Sequence, residues 1–101
     1  MTPEKKIQNS IIKYFKDLQK QGYPVFIERR QAGGFSYKKG EADLYVVING
    51  LHIEIEVKAE NGEQSVMQEK WESFCKSVNI PYLLIKDLEE LQNIVKREGW
   101  L

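Results

Sequence analysis

The stretch DLYVVINGLHIEIEVK, residues 43–58, decides the fold. At its centre lies Asn49-Gly50, the strongest short-range signal for a two-residue β-hairpin, because both central positions of a type I′ turn need a positive φ angle. With this turn Ile48 pairs with Leu51, and further out Asp43 faces Glu56. The hairpin therefore predicts two carboxylates that are direct neighbours on adjacent strands.

Successive side chains of a strand point to opposite faces of the sheet, and one face of this hairpin is entirely apolar. It consists of Leu44, Val46, Ile48, Leu51, Ile53, Ile55 and Val57. We expect this face to lie in the core. The opposite face carries Asp43, Tyr45, Val47, His52, Glu54, Glu56 and Lys58. Opposed carboxylates at a Cβ separation of about 5 Å repel each other, and a divalent cation between them would relieve that repulsion.

The polar face also has a simpler interpretation. A half-exposed hairpin alternates polar and apolar residues by default, so this face is compatible with a solvated surface that has no chemistry. Two details favour a site: Lys58 shares the face of Glu56, and a glycine-rich segment precedes Asp43. His52 lies beside the turn and is expected to be exposed and not catalytic. Glu54 is expected on a solvated face rather than in the site.

The length of 101 residues predicts a single domain, 1–101, with one modest core. Fifteen basic residues balance fifteen acidic ones, so the net charge indicates neither nucleic acid nor a membrane as partner. No apolar run reaches the roughly 18 residues that span a bilayer, and no N-terminal stretch resembles a signal peptide. The single cysteine, Cys75, is expected to be buried and reduced. Together these features predict a cytoplasmic protein.

Periodicity and capping signals predict the element order αβββαβα, an α/β fold with a mixed sheet flanked by helices. Thr2 caps a first helix, and strands are expected on either side of the hairpin, one within residues 23–29 that begins after Pro24 and one over residues 80–86. Two further helices open with capping boxes, formed by Ser65 with Gln68 and by Asp87 with Glu90. Because a helix separates the hairpin from the last strand, that strand is expected to run parallel to a neighbour.

Several short motifs in this order resemble a known nuclease superfamily. Gly40-Glu41-Ala42-Asp43, the hairpin, Glu56-Val57-Lys58 and the downstream Gln68 look like the PD-(D/E)XK nucleases, and within them the virus-type replication-repair nuclease (VRR-NUC) family. The resemblance covers most of the chain and implies a restriction-endonuclease-like core. Ala42 stands where a proline often precedes the aspartate, but that proline is not a ligand.

The resemblance also implies a set of site residues. The implied ligands of Mg²⁺ or Mn²⁺ are Asp43, Glu56, the backbone carbonyl of Val57 and, in the first helix, Glu4. Oxygen ligands of this kind suit a hard cation. Lys58 would act on the reacting phosphate. Glu4 can alternatively compensate a helix dipole, and Gln68 can alternatively be only the capping partner of Ser65.

The implied activity is that of a metal-dependent DNA endonuclease, hydrolysing phosphodiester bonds in branched or junction DNA as a homodimer of bacterial or phage origin. The basic residues around the glycine-rich segment are plausible phosphate contacts: Arg29, Arg30, Lys38 and Lys39. A non-catalytic DNA-binding or assembly module with the same fold is the alternative. A retaining glycosidase using the paired carboxylates is a second alternative, but it leaves Lys58 unexplained.

Overall fold

The computed structural model describes residues 1–30 and 40–101, and its centre is one four-stranded sheet in the order β1-β2-β3-β4. The strands are β1 (Val25–Arg29), β2 (Leu44–Ile48), β3 (Leu51–Val57) and β4 (Tyr82–Ile85). The helices are α1 (Pro3–Lys20), α2 (Val66–Ser77) and α3 (Leu88–Arg97). The predicted α/β class and the order αβββαβα, as in a restriction-endonuclease-like core, are confirmed.

The hairpin forms in the predicted register. Asn49 and Gly50 have φ angles of 52° and 82°, which is the left-handed pair that the turn requires. Ile48 then pairs with Leu51, and β1 adds to the outer side of β2 in antiparallel orientation. On the other side, β4 pairs with β3 in parallel, as the intervening helix predicts.

Strand β1 begins directly after Pro24, as predicted, whereas β4 is shorter than the predicted 80–86. It begins only after Pro81, so it does not extend back to residue 80. Proline has no N–H to donate to a sheet and is confined to strand ends and edges.

The predicted helix caps form, one of them only in part. Thr2 Oγ1 accepts from Lys5 N–H at 3.1 Å, and the capping box of Ser65 with Gln68 is complete. Asp87 accepts from Glu90 N–H at 2.8 Å, but the Glu90 carboxylate reaches Lys86 N–H instead of Asp87 N–H. None of the helices in the described part of the chain is long and apolar enough to cross a membrane.

The core lies on the apolar face of the hairpin, beneath α1 and α3. Its members include Ile11, Phe15, Leu44, Val46, Ile53, Ile55, Leu91 and Val95. Only Leu51, next to the turn, remains 36% exposed among the hairpin residues predicted to be in the core. Cys75 of α2 is fully buried, as predicted.

The polar face of the hairpin is not a solvated surface, so the simpler interpretation and the prediction for Glu54 are wrong. Glu54 and Glu56 are each only 1% exposed. Helix α2 lies over this face: Trp71 Nε1 donates to Glu54 at 2.9 Å and Gln68 Nε2 donates to Glu56 at 2.9 Å. The sheet therefore buries side chains on both faces, and one of those faces buries carboxylates.

Candidate metal and catalytic site

Asp43 and Glu56 meet where β2 begins and β3 ends, and backbone hydrogen bonds cross between them. Asp43 N–H donates to Glu56 Oε1 at 3.2 Å, and Val57 N–H donates to Asp43 Oδ2 at 3.0 Å. Each carboxylate is thus held by the strand that carries the other. The structure brings these two predicted site residues together.

The environment of Glu56 is electrostatically unfavourable to its charge. Burial and the neighbouring charge of Asp43 raise the pKa of Glu56 from 4.5 to about 8. Lys58 opposes this increase, and its Nζ lies 3.7 Å from Glu56 Oε2. One ammonium group therefore faces two carboxylates, and the pair keeps an excess of negative charge when both are ionised.

Glu54, two residues earlier on the same face, has the opposite electrostatic balance. Burial alone would raise the pKa of Glu54, but hydrogen bonds from Arg30, His52 and Trp71 hold it below its usual value. Arg30 binds both carboxylate oxygens, at 2.6 and 2.8 Å. Of the two buried glutamates, Glu54 already has a fixed cation, whereas Glu56 lies where an additional cation would be stabilising.

We expect the pKa shift of Glu56 to make the metal-free protein less stable as pH rises. The folded protein binds this proton up to about pH 8 and the unfolded chain only to about 4.5, so the free energy of unfolding falls as pH rises between these values. Urea denaturation in EDTA from pH 5 to 9 measures the slope. Glu56→Gln should remove that part of the slope; an identical pH dependence in the two proteins would contradict the shift.

Gln68 is the capping partner of Ser65 and also contacts a site carboxylate. Its Oε1 accepts from Ser65 N–H at 2.8 Å, which completes the capping box, while its Nε2 donates to Glu56 Oε2 at 2.9 Å. One amide therefore fixes the start of α2 and orients a site carboxylate. Its helix-capping role is confirmed, and its catalytic role stays a prediction.

Glu4 lies beside the site but does not join the carboxylate pair. Its Oε2 is 3.4 Å from Ala59 N–H, just after Lys58. Among residues 1–30 and 40–101, no three histidine, cysteine, aspartate or glutamate side chains form a cluster able to hold a metal. The role of Glu4 as a ligand stays a prediction, as does that of the Val57 carbonyl. In an extended strand the N–H and C=O of one residue point to the same side. Because Val57 N–H donates to Asp43, the Val57 carbonyl also points toward that side of β3.

The predicted phosphate contacts are placed differently from one another. Arg30 turns inward, with a side chain only 17% exposed, and both of its ends bind carboxylates, so its predicted role on the DNA surface is not supported. Arg29 points to the opposite face of the sheet, where Nη2 donates to Asn9 Oδ1, and its Nε is buried without a partner among the described residues. Lys38 and Lys39 lie outside the described residues.

His52 is partly exposed, as predicted, but it is not isolated. Its side chain is 40% exposed, its Nε2 bonds to Glu54 Oε2, and its ring stacks on Tyr45 with centroids 4.8 Å apart. These contacts join it to Glu54 rather than to Asp43 or Glu56. The prediction that His52 takes no part in catalysis stays a prediction.

Gly40 explains how the segment before Asp43 approaches α2 so closely. Its φ angle is +91°, and a Cβ atom built there would lie 2.5 Å from the carbonyl oxygen of Met67. Both the dihedral and the contact exclude a side chain. The glycine in the Gly-x-x-Asp motif is therefore required by packing against the first turn of α2.

Gly40→Ala is expected to destabilise the protein by more than about 2 kcal/mol, because a positive φ costs an L-residue roughly 1–2 kcal/mol and the backbone clash adds to this. Gly50→Ala is the matched control, since Gly50 has a φ of +82° but nothing within 4 Å of its Cβ position. Urea denaturation compares the two. Equal losses of stability would show that the contact with Met67 contributes nothing.

The chemistry of the donor set fits a magnesium or manganese ion. Mg²⁺ is bound in proteins by one or two carboxylates and keeps several waters, so the Asp43–Glu56 pair is sufficient without a third acid. The structural observation that favours a divalent cation there is the adjacency of the two carboxylates, each held by a backbone N–H of the strand that carries the other, with the Lys58 ammonium beside Glu56. No protein-family model, curated protein or solved structure was found to match this chain.

Proposed function

We propose that this chain is a metal-dependent DNA endonuclease of the VRR-NUC type, which hydrolyses phosphodiester bonds. The observation that supports the proposal most strongly is the opposed pair of Asp43, which is partly buried, and Glu56, which is fully buried, with Lys58 beside it. Two adjacent carboxylates that repel each other lower the stability of the folded protein. Such unfavourable arrangements occur at functional sites, and here a bound cation would relieve the repulsion.

Each side chain then has a distinct task. Asp43 and Glu56 hold the cation, and Gln68 fixes the rotamer of Glu56 by donating to Oε2. A bound divalent ion would neutralise phosphate charge and lower the pKa of a bound water. Lys58, whose side chain is only 17% exposed, places an ammonium group where negative charge develops on the phosphate.

The resemblance in sequence supports branched or junction DNA as the substrate and a homodimer as the active form. A chain of 101 residues offers a small footprint on DNA, and pairing two copies would enlarge it. Arg29, Lys38 and Lys39 remain proposed phosphate contacts. The single buried Cys75 supports a reducing compartment, and we place the protein in the cytoplasm of a bacterium or of a cell infected by phage.

Cleavage of defined DNA substrates tests the proposal. Linear duplex, flapped and four-way junction DNA are incubated with the protein in Mg²⁺, Mn²⁺ or EDTA, and products are resolved on denaturing gels. We expect cleavage with metal, preferentially of branched DNA, and none in EDTA. Glu56→Gln is the matched inactive control, because the amide keeps the size of the side chain but removes the charge.

Two outcomes would contradict the proposal. DNA binding without cleavage of any substrate in Mg²⁺ or Mn²⁺ would favour the alternative, a non-catalytic DNA-binding or assembly module. Cleavage that persists unchanged in Glu56→Gln would show that the activity does not come from this site.

A further inference from the structure

Arg30, just after β1, is enclosed by acceptors and aromatic rings. Its Nε pairs with Glu41 at 2.8 Å, and its two Nη atoms bind the two oxygens of Glu54. Its Cζ lies 5.0 Å from the ring centroid of Tyr45 and 5.9 Å from that of Trp71. We call this group, Arg30 with Glu41, Glu54, Tyr45 and Trp71, the Arg30 cluster.

The Arg30 cluster binds the backbone that carries Asp43. Arg30 Nη1 donates to the carbonyl of Ala42 at 3.0 Å, and Arg30 N–H donates to the carbonyl of Asp43 at 2.9 Å. With the ion pair to Glu41, one residue contacts three consecutive positions, 41–43. Its other partner, Glu54, belongs to β3 and precedes Glu56 by two residues on the same face.

We propose that Arg30 and Glu54 are positioning residues, which set the spacing of Asp43 and Glu56 for metal binding. The inference rests on the proposed function. The planar guanidinium bridges the Asp43 segment to β3 through three differently directed nitrogens, and a lysine ammonium has no such fork. Residues that orient metal ligands without binding the metal themselves affect metal affinity, and their mutation usually lowers it.

The competing explanation is that the Arg30 cluster only stabilises the fold. Replacing its charged groups by uncharged ones of similar volume distinguishes this structural role from a positioning role. Buried ion pairs are often replaced by apolar residues of similar volume with no loss of stability. A cluster that only fills space would therefore tolerate such a replacement without effect on the site. A cluster that holds Asp43 in place would lose its function even when stability is restored.

The first test is Glu54→Gln, which keeps the volume and the acceptor for Trp71 but removes the charge. Mg²⁺ affinity is measured by calorimetry, and cleavage by single-turnover kinetics. We expect Mg²⁺ affinity to fall by about 10- to 100-fold, the usual effect of removing a group that orients a metal ligand, and the cleavage rate at limiting Mg²⁺ to fall with it. Val95→Ala, in the core on α3, is the control for general destabilisation. It should leave both within about 3-fold of wild type, because Val95 belongs to the apolar core cluster, which contains no member of the Arg30 cluster.

The double variant Arg30→Met with Glu54→Met gives the sharper test. We expect its thermal stability to be above that of Arg30→Met alone, because the single variant leaves the Glu54 carboxylate buried without its cation and the double variant removes that carboxylate too. Mg²⁺ affinity should nevertheless remain reduced by about 10-fold or more. Wild-type affinity in this variant, or in Glu54→Gln, would overturn the proposal.

Hydrogen exchange separates this inference from the proposed function. The backbone amide of Arg30 donates to Asp43 and that of Asp43 donates to Glu56, so their exchange rates report on the contacts of residues 41–43. The measurement requires neither metal nor DNA cleavage. Glu54→Gln should accelerate their exchange by about 10-fold or more relative to Val95→Ala. If wild type neither binds Mg²⁺ nor cleaves DNA, the proposed function fails. The exchange rates alone then decide whether Arg30 and Glu54 position Asp43. Exchange rates that are unchanged in Glu54→Gln would overturn the positioning role.

Discussion

Replacing Lys58 with alanine is expected to lower kcat for DNA cleavage by about 10²–10³-fold, the usual effect of removing one group that stabilises transition-state charge. The Lys58 ammonium lies 3.7 Å from Glu56 and its side chain is only 17% exposed, so it lies at the proposed site and not on the exposed surface around it. DNA affinity should therefore stay within a few-fold of wild type. Single-turnover kinetics in Mg²⁺ measure cleavage, and fluorescence anisotropy in Ca²⁺ measures binding.

Lys76→Ala is the matched control for this variant. Lys76 lies in the last turn of α2, its side chain is 67% exposed, and it pairs with Glu72 on the same helix. Its loss removes the same charge far along the helix from the site, so cleavage should not change. If Lys58→Ala and Lys76→Ala cleave DNA at similar rates, Lys58 has no role in the reaction.

The hairpin and its carboxylate pair are predictable because they depend on local chemistry. Asn49-Gly50 determines the turn, the turn determines the register, and the register places Asp43 opposite Glu56. None of these steps requires knowledge of distant residues. The caps of α1 and α2 are predictable for the same reason, since each depends on a few adjacent side chains.

The burial of Glu54 was not predictable from the hairpin, because it depends on α2, which follows in sequence. Helix α2 carries apolar residues at helical spacing, which form a stripe that includes Met67, Trp71, Phe74 and Cys75. Because α1 and α3 cover one face of the sheet, the opposite face is where Trp71 can pack. A polar strand face opposite such a stripe is a usable signal. It indicates that some of the carboxylates on that face are buried and need partners.

The inward position of Arg30 is not predictable from the sequence for a related reason. An arginine beside a glycine-rich segment is typical of a phosphate contact, and the neighbouring Arg29, Lys38 and Lys39 reinforced that interpretation. Strand alternation does place Arg30 on the face of Glu54, but a charge is usually assigned to solvent until a buried partner is known. The buried carboxylate of Glu54 is what turns Arg30 inward, and its burial is seen only in the folded structure.

Arg30→Ala is expected to lower the free energy of unfolding by about 3–5 kcal/mol, since removing one partner of a buried pair leaves the other charge uncompensated. Glu54, at 1% exposure, would keep only His52 and Trp71 as partners. Urea denaturation at pH 7 measures the loss, which is a large fraction of the roughly 5–15 kcal/mol typical of a domain. Arg97→Ala is the control: its side chain is 70% exposed beside Glu98, and surface pairs contribute at most about 1 kcal/mol.

The pH dependence of that loss identifies its cause. Arg30 helps to hold the pKa of Glu54 below its usual value, so the stability it provides is present above the pKa of the unfolded chain and is lost as pH falls through the folded pKa. Without Arg30, Glu54 can take up a proton at higher pH and thereby reduce the cost of its burial. The difference in stability between wild type and Arg30→Ala should therefore narrow as pH falls from 7 toward 4. A difference that stays constant over this range would mean that the loss comes from the packing of Arg30 against Tyr45 and Trp71, and that its charge is not what stabilises the buried carboxylate.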